Sequence, residues 1–98
     1  MAVLKRHRVP GITKEKYDEV SSATKASQES APGFIAHYAV FDDDVLTVIE
    51  VWDSQDDHDR WFDANIKPNL PEGAVPPAEF VNVQKSIIGK NSEAAMRP

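Results

Sequence analysis

Apolar and polar positions along this 98-residue chain fall into six segments divided by turn chemistry. Residues 2–9 (AVLKRHRV) suit a strand and stop at Pro10-Gly11, a turn dipeptide. Thr13 then stands as the N-cap of a helix over about 14–29. Ala31-Pro32-Gly33 ends that helix, because proline cannot continue it and glycine allows the reversal. GFIAHYAVF and VLTVIEVW, rich in β-branched and aromatic residues, predict two strands, and the polar break Asp42-Asp43-Asp44 joins them as an antiparallel hairpin. Ser54 caps a second helix over about 55–66. His58, Trp61, Phe62, Asn65 and Ile66 form its inward stripe, with Asp56–Arg60 and Asp63–Lys67 as i,i+4 pairs on the wet side. PNLPEGAVPP reads as an extended loop, EFVNVQKSII as a last strand, and GKNSEAAMRP as a frayed tail. One domain over residues 1–88 with a disordered tail over 89–98 is expected.

The order β-α-β-β-α-β is that of a split βαβ sheet, an α+β, ferredoxin-like fold with a four-stranded antiparallel sheet. Strands one and three should be central, with both helices on one face. A three-residue hairpin loop over 42–44 pairs Phe41 with Val45. That register puts Phe34, Ala36, Tyr38, Val40, Leu46, Val48, Glu50 and Trp52 on one face and Ile35, His37, Ala39, Phe41, Val45, Thr47, Ile49 and Val51 on the other. Both rows are mostly apolar, whereas a sheet with one wet face alternates apolar with polar. The chain has no spare helix for the second face. A second copy of the sheet is the economical cover, which makes the expected assembly a homodimer, a dimeric α/β barrel.

Composition removes several chemistries. With no cysteine there are no disulfides, thiolate nucleophiles or zinc–thiolate sites, and a reducing, cytoplasmic setting is expected. The N-terminus has no apolar run long enough for a signal peptide or a membrane span, so no membrane partner is expected. A net charge of -5 argues against nucleic acid, and the strands lack the stacking aromatics of RNA-recognition domains. Three histidines without HxH or HxxxH spacing predict no metal site, and no phosphate-binding or nucleophile-elbow motif is present.

The run Pro32-Gly33-Phe34, then Glu50-Val51-Trp52-Asp53-Ser54, then His58-Asp59-Arg60-Trp61-Phe62 resembles the antibiotic-biosynthesis-monooxygenase-like family of dimeric α/β barrels. The opening strand with Pro10-Gly11-Ile12-Thr13 and Tyr17-Asp18 is similar to its small members, and the resemblance covers roughly residues 3–85. It implies the dimeric barrel. For activity it is unspecific: the family includes cofactor-independent monooxygenases of aromatic polyketides, haem-degrading enzymes and many members of no known function. Trp61 stands nine residues after Trp52, where haem-degrading members place the tryptophan that presses on the porphyrin. Those members also need an asparagine on strand one and a histidine after helix two. Strand one has no asparagine, and Lys67-Pro68-Asn69-Leu70-Pro71 has no histidine, so haem degradation is not expected.

Candidate chemistry centres on a few side chains. Lys5, Arg6, His7 and Arg8 alternate between the two faces of a central strand, either as a basic spot at a pocket or as partners of Glu50 in a structural ion pair. His37, mid-strand among apolar residues, is either a general base or a satisfied core histidine, and His7 is the other proton-transfer candidate. His58 reads as a boundary residue at the start of helix two. Helix one presents Tyr17, Val20, Ser21, Thr24, Ser27 and Gln28 inward, a face with short side chains. It either leaves a cavity against the sheet, with Trp61 and Phe62 as the far wall, or packs closer. Tyr17, Trp61, Phe62, Glu50 and Trp52 are the expected ligand-binding residues of such a pocket. With the chemistry that the resemblance implies, the pocket would serve a cofactor-independent monooxygenase-like enzyme acting on an apolar or aromatic metabolite; without it, a non-catalytic ligand-binding or accessory dimer. A third possibility is a structural dimer with a filled core. No cofactor is expected.

Overall fold

The computed structural model describes residues 1–70 and 77–91. Its elements are β1 (Val3–Val9), α1 (Lys14–Glu29), β2 (Phe34–Asp42), β3 (Val45–Trp52), α2 (Gln55–Asn65), a 3-10 turn (Lys67–Asn69) and β4 (Glu79–Asn82). The strands form one antiparallel sheet in the order β2-β3-β1-β4, the ferredoxin-like arrangement with β1 and β3 at the centre. Both helices begin at side-chain caps: Thr13 accepts from the Lys16 amide and Ser54 from the Asp57 amide. On α2, Arg60 pairs with Asp57 at 3.0 Å, one turn position nearer than the expected Asp56.

The hairpin differs from its sequence-based register. Asp42 pairs with Val45, leaving only Asp43 and Asp44 in the turn, both left-handed at φ 51° and 62°. Two residues with positive φ are the signature of a two-residue turn whose twist matches the strands, and aspartate enters that region more readily than most residues. The shorter turn shifts the pairing by one residue, so Phe41 faces Leu46, Ala39 faces Val48 and His37 faces Glu50. A one-residue slip moves side chains to the opposite face. His37, Ala39 and Phe41 therefore share the helix-covered face with Leu46, Val48, Glu50 and Trp52. A bulge between Phe34 and Ala36 restores Phe34 opposite Trp52 on that same face.

The last strand is shorter than expected, because β1 begins at Val3 and offers no ladder beyond it. After Asn82 a single bond, Val83 N–H to the Ala2 carbonyl, ends the pairing, and Ile87 and Ile88 lie exposed. The expected loop over 68–77 lies outside the described residues at 71–76, and the expected tail does so from residue 92.

The core sits at one end of the sheet, where Val3, Trp52 and Trp61 gather Ala31, Phe34, Phe62, Ile66 and Phe80. Trp52 is the hub, with ring centroids 5.2 Å from Phe34, 5.6 Å from His58 and 5.7 Å from Trp61. Among the described residues five apolar side chains are buried, and so are four polar ones: Lys5, Gln28, Glu50 and His58. That ratio is unusual, because a buried polar group is costly unless bonded. Val20, expected inward, is exposed. The sheet face away from the helices carries Tyr38, Val40 and Val81 in the open.

Candidate functional site

The buried polar residues follow from strand register. Phe80 on β4, Lys5 on β1, Glu50 on β3 and His37 on β2 are successive pairing partners, so they form one row across the helix-covered face. Glu50 is its anchor. One carboxylate oxygen accepts from Gln28 Nε2 at 2.8 Å and lies 2.7 Å from His37 Nδ1. The other accepts from Trp52 Nε1 at 3.0 Å. Burial alone opposes ionisation of Glu50. The His37 hydrogen bond, the Lys5 charge and the bonds from Trp52 and Gln28 outweigh it and hold the pKa at about 2.

An ionised Glu50 only accepts, so it sets the His37 tautomer: Nδ1–H donates to Glu50 and Nε2 is left to accept. Tyr17 Oη lies 2.7 Å from that Nε2. Burial pushes the Tyr17 phenol up, against an opposing bond from Ser21, so the phenol keeps its proton and donates it to His37. The result is a directed chain, Tyr17 to His37 to Glu50, which begins on α1, crosses β2 and ends at the centre of the sheet. Its middle is reachable, because the His37 side chain is 26% exposed. The Phe41 ring stands edge-on to Tyr17 at 6.2 Å and fixes the phenol from below.

A second chain starts at Lys5. Its Nζ lies 2.8 Å from His58 Nε2, while His58 Nδ1 lies 2.9 Å from Asp59 Oδ1. The ammonium also sits 4.8 Å from the Phe62 ring centroid. Burial pulls the Lys5 amine down, with Glu50 and Asp59 opposing, and pulls the His58 imidazole down, with the Asp59 bond opposing. His7 is lowered to about 4, first by burial and then by the Lys5 charge, and its Nδ1 is buried without a partner.

Among the described residues, two cavities lie on opposite flanks of α2. One, of about 250 Å³, is bounded by Lys5, His58, Phe62 and Phe80. The other, of about 280 Å³, is bounded by Ser27, Asp57, Arg60 and Trp61. Phe62 and Trp61 thus line different cavities rather than one wall. Trp61 is held by its ring on Trp52 and by Nε1–H to Ser27 Oγ at 3.2 Å. Trp52 is fully buried and Glu50 is buried beside it. Of the expected site residues, Tyr17, His37, Glu50 and Trp52 are brought together. His7 stands one pairing row away, opposite Val48. From sequence alone, Lys5 is one of four basic residues without a face, His58 a boundary residue, and Asp59 and Gln28 have no assigned partner. A cation at a central-strand position opposite Glu50 was the available signal for Lys5.

A family model described as antibiotic biosynthesis monooxygenase matches residues 6–66. No curated protein sequence matches the chain. Among solved structures, a haem-degrading protein of Mycobacterium tuberculosis is similar at 20% identity and a TM-score of 0.60, covering 89% of this chain and 99% of that one. A variant of a cofactor-independent oxygenase from Streptomyces nogalater is similar at 18% identity and 0.61, covering 88% and 96%. A monooxygenase of Streptomyces coelicolor, in complex with nanaomycin D, is similar at 19% and 0.56, covering 90% and 89%. At these identities the likeness speaks for the fold.

Proposed function

The chain belongs to the antibiotic biosynthesis monooxygenase family, and from that membership we propose that it oxygenates a small apolar, aromatic metabolite without a bound cofactor. The observation that carries this reading is the Tyr17–His37–Glu50 chain. A substrate bearing an acidic C–H next to an aryl ketone gives its proton to the Tyr17 oxygen as Tyr17 passes its own to His37 Nε2. The imidazolium that forms is held by the ionised Glu50. The substrate carbanion then reduces molecular oxygen and combines with it. Loss of water from the resulting hydroperoxide, with the proton returned by His37, converts a CH2 group to C=O, so CH2 and O2 give C=O and H2O. A haem role is not supported by the histidines. His37 and His58 each have both ring nitrogens engaged, and His7 lies on a central strand with Nδ1 buried.

The test is oxygen uptake with a tricyclic anthrone-type ketone and purified protein. Wild type is expected to consume oxygen, and His37→Gln to lose about 10²–10⁴ of the rate, the usual worth of a positioned proton acceptor. Uptake unaffected by His37→Gln, or none in wild type, overturns the reading. Quenching of tryptophan fluorescence by the same ketone without turnover would instead leave the non-catalytic binding dimer.

We further propose that the open sheet face closes on a second copy in a two-fold homodimer. Val40 is 50% exposed there, next to Tyr38 on β2, and Val81 is exposed on the opposite edge strand, apolar surface that monomers seldom leave open. A monomer mass at micromolar concentration in sedimentation would end that proposal. Among the described residues no helix is long and apolar enough to cross a membrane. The absence of cysteine fits work in the cytoplasm.

A further inference from the structure

The Lys5–His58–Asp59 chain is not used by the proton route above, and it opens on a different cavity. We propose that this cavity captures small aromatic aldehydes or ketones, with the Lys5 amine condensing with the carbonyl carbon to form an imine. Lys5 is only 4% exposed, yet it bounds the 250 Å³ cavity beside Phe62 and Phe80. Ligand pockets for larger molecules run to roughly 300–1,000 Å³, so this one suits a single ring. The two phenyl rings are apolar walls for that ring. Among the described residues Lys5 has one hydrogen-bond partner, His58 Nε2 at 2.8 Å, for three donor positions. A buried lysine left so sparsely bonded is costly as a purely structural feature.

The partner is a base in the right tautomer. Asp59 Oδ1, 2.9 Å from His58 Nδ1, takes that N–H and leaves Nε2 to accept a proton from the Lys5 ammonium. The free amine forms a C–N bond to the carbonyl carbon. The carbinolamine then loses its hydroxyl as water, using the proton held by His58. Ammonium and carbonyl give a protonated imine and water, with no oxidant or reductant required. Burial lowers the Lys5 amine, which favours loss of its proton, while the Asp59 bond supports His58 as the acceptor against its own burial.

Benzaldehyde with sodium cyanoborohydride at pH 7 tests this, because reduction turns the imine into a stable benzylamine readable by peptide mass mapping. In wild type, Lys5 is expected to label severalfold faster than exposed lysines such as Lys25. His58→Gln should slow Lys5 labelling about tenfold while leaving Lys25 unchanged, and Lys5→Met should abolish the fast adduct. Labelling confined to exposed lysines in wild type overturns the proposal, without recourse to any variant that fails to fold. So does equal labelling of Lys5 in His58→Gln. None of these readouts depends on oxygen uptake, so the two proposals fail separately.

Discussion

Replacing Glu50 by glutamine removes one charge and keeps the shape, which makes it a direct probe of the buried row. In wild type both carboxylate oxygens accept, from Gln28, His37 and Trp52. An amide can face either the Gln28 and His37 donors or the Trp52 donor with its oxygen, and meets the other with N–H. Lys5 also loses the negative charge opposite it. The magnitude follows from linkage. A carboxyl lowered from 4.5 to about 2 on folding contributes roughly 3 kcal/mol to stability at pH 7. Because the folded pKa is the lower one, that contribution is complete above pH 4.5 and is lost as pH falls towards 2. Glu50→Gln should therefore unfold about 3 kcal/mol more easily at pH 7, and the difference from wild type should shrink to about half near pH 3.3. Guanidinium unfolding followed by Trp52 and Trp61 fluorescence, repeated from pH 7 to pH 3, measures both. A difference under about 0.5 kcal/mol at pH 7, or one constant down to pH 3, would refute the account of Glu50 as the ionised anchor.

Three further outcomes are expected. Gly33 adopts φ +85° and a Cβ there would strike the Asp57 carboxylate; Gly33→Ala should cost about 2 kcal/mol or more in thermal unfolding, and a neutral effect would contradict the close approach. Joint replacement Asp43→Asn and Asp44→Gly should stabilise the hairpin by about 0.5–1 kcal/mol, since both positions have positive φ, and a loss in melting temperature would argue against the two-residue turn. Val40→Asp places a charge on the open sheet face. For the proposed homodimer, sedimentation should then show a shift to monomer with the circular dichroism spectrum kept, and no shift would place the interface elsewhere.

The element order, both helix caps and the four-strand sheet were legible in the sequence because each rests on local chemistry. Thr13 and Ser54 cap because their hydroxyls reach amides three residues on. The strands are marked by β-branched runs, and α2 by a stripe that buries His58 and Trp61. The faces of β2 were not legible. Three consecutive aspartates do not reveal which of them leave the strand, and only folding of the hairpin put two, rather than three, in the turn. That single residue decides whether His37 meets Glu50 or points away from it. The partners of Lys5 were hidden for a related reason. Four basic residues in a row have no preferred face until β1 is registered against β3, and His58 arrives from an element 53 residues distant. Local chemistry along the chain sets the elements, their order and the ionisable groups within them. Tertiary structure alone decided which of those groups touch, because pairing register and long-range packing, not local propensity, set the face on which each side chain lies.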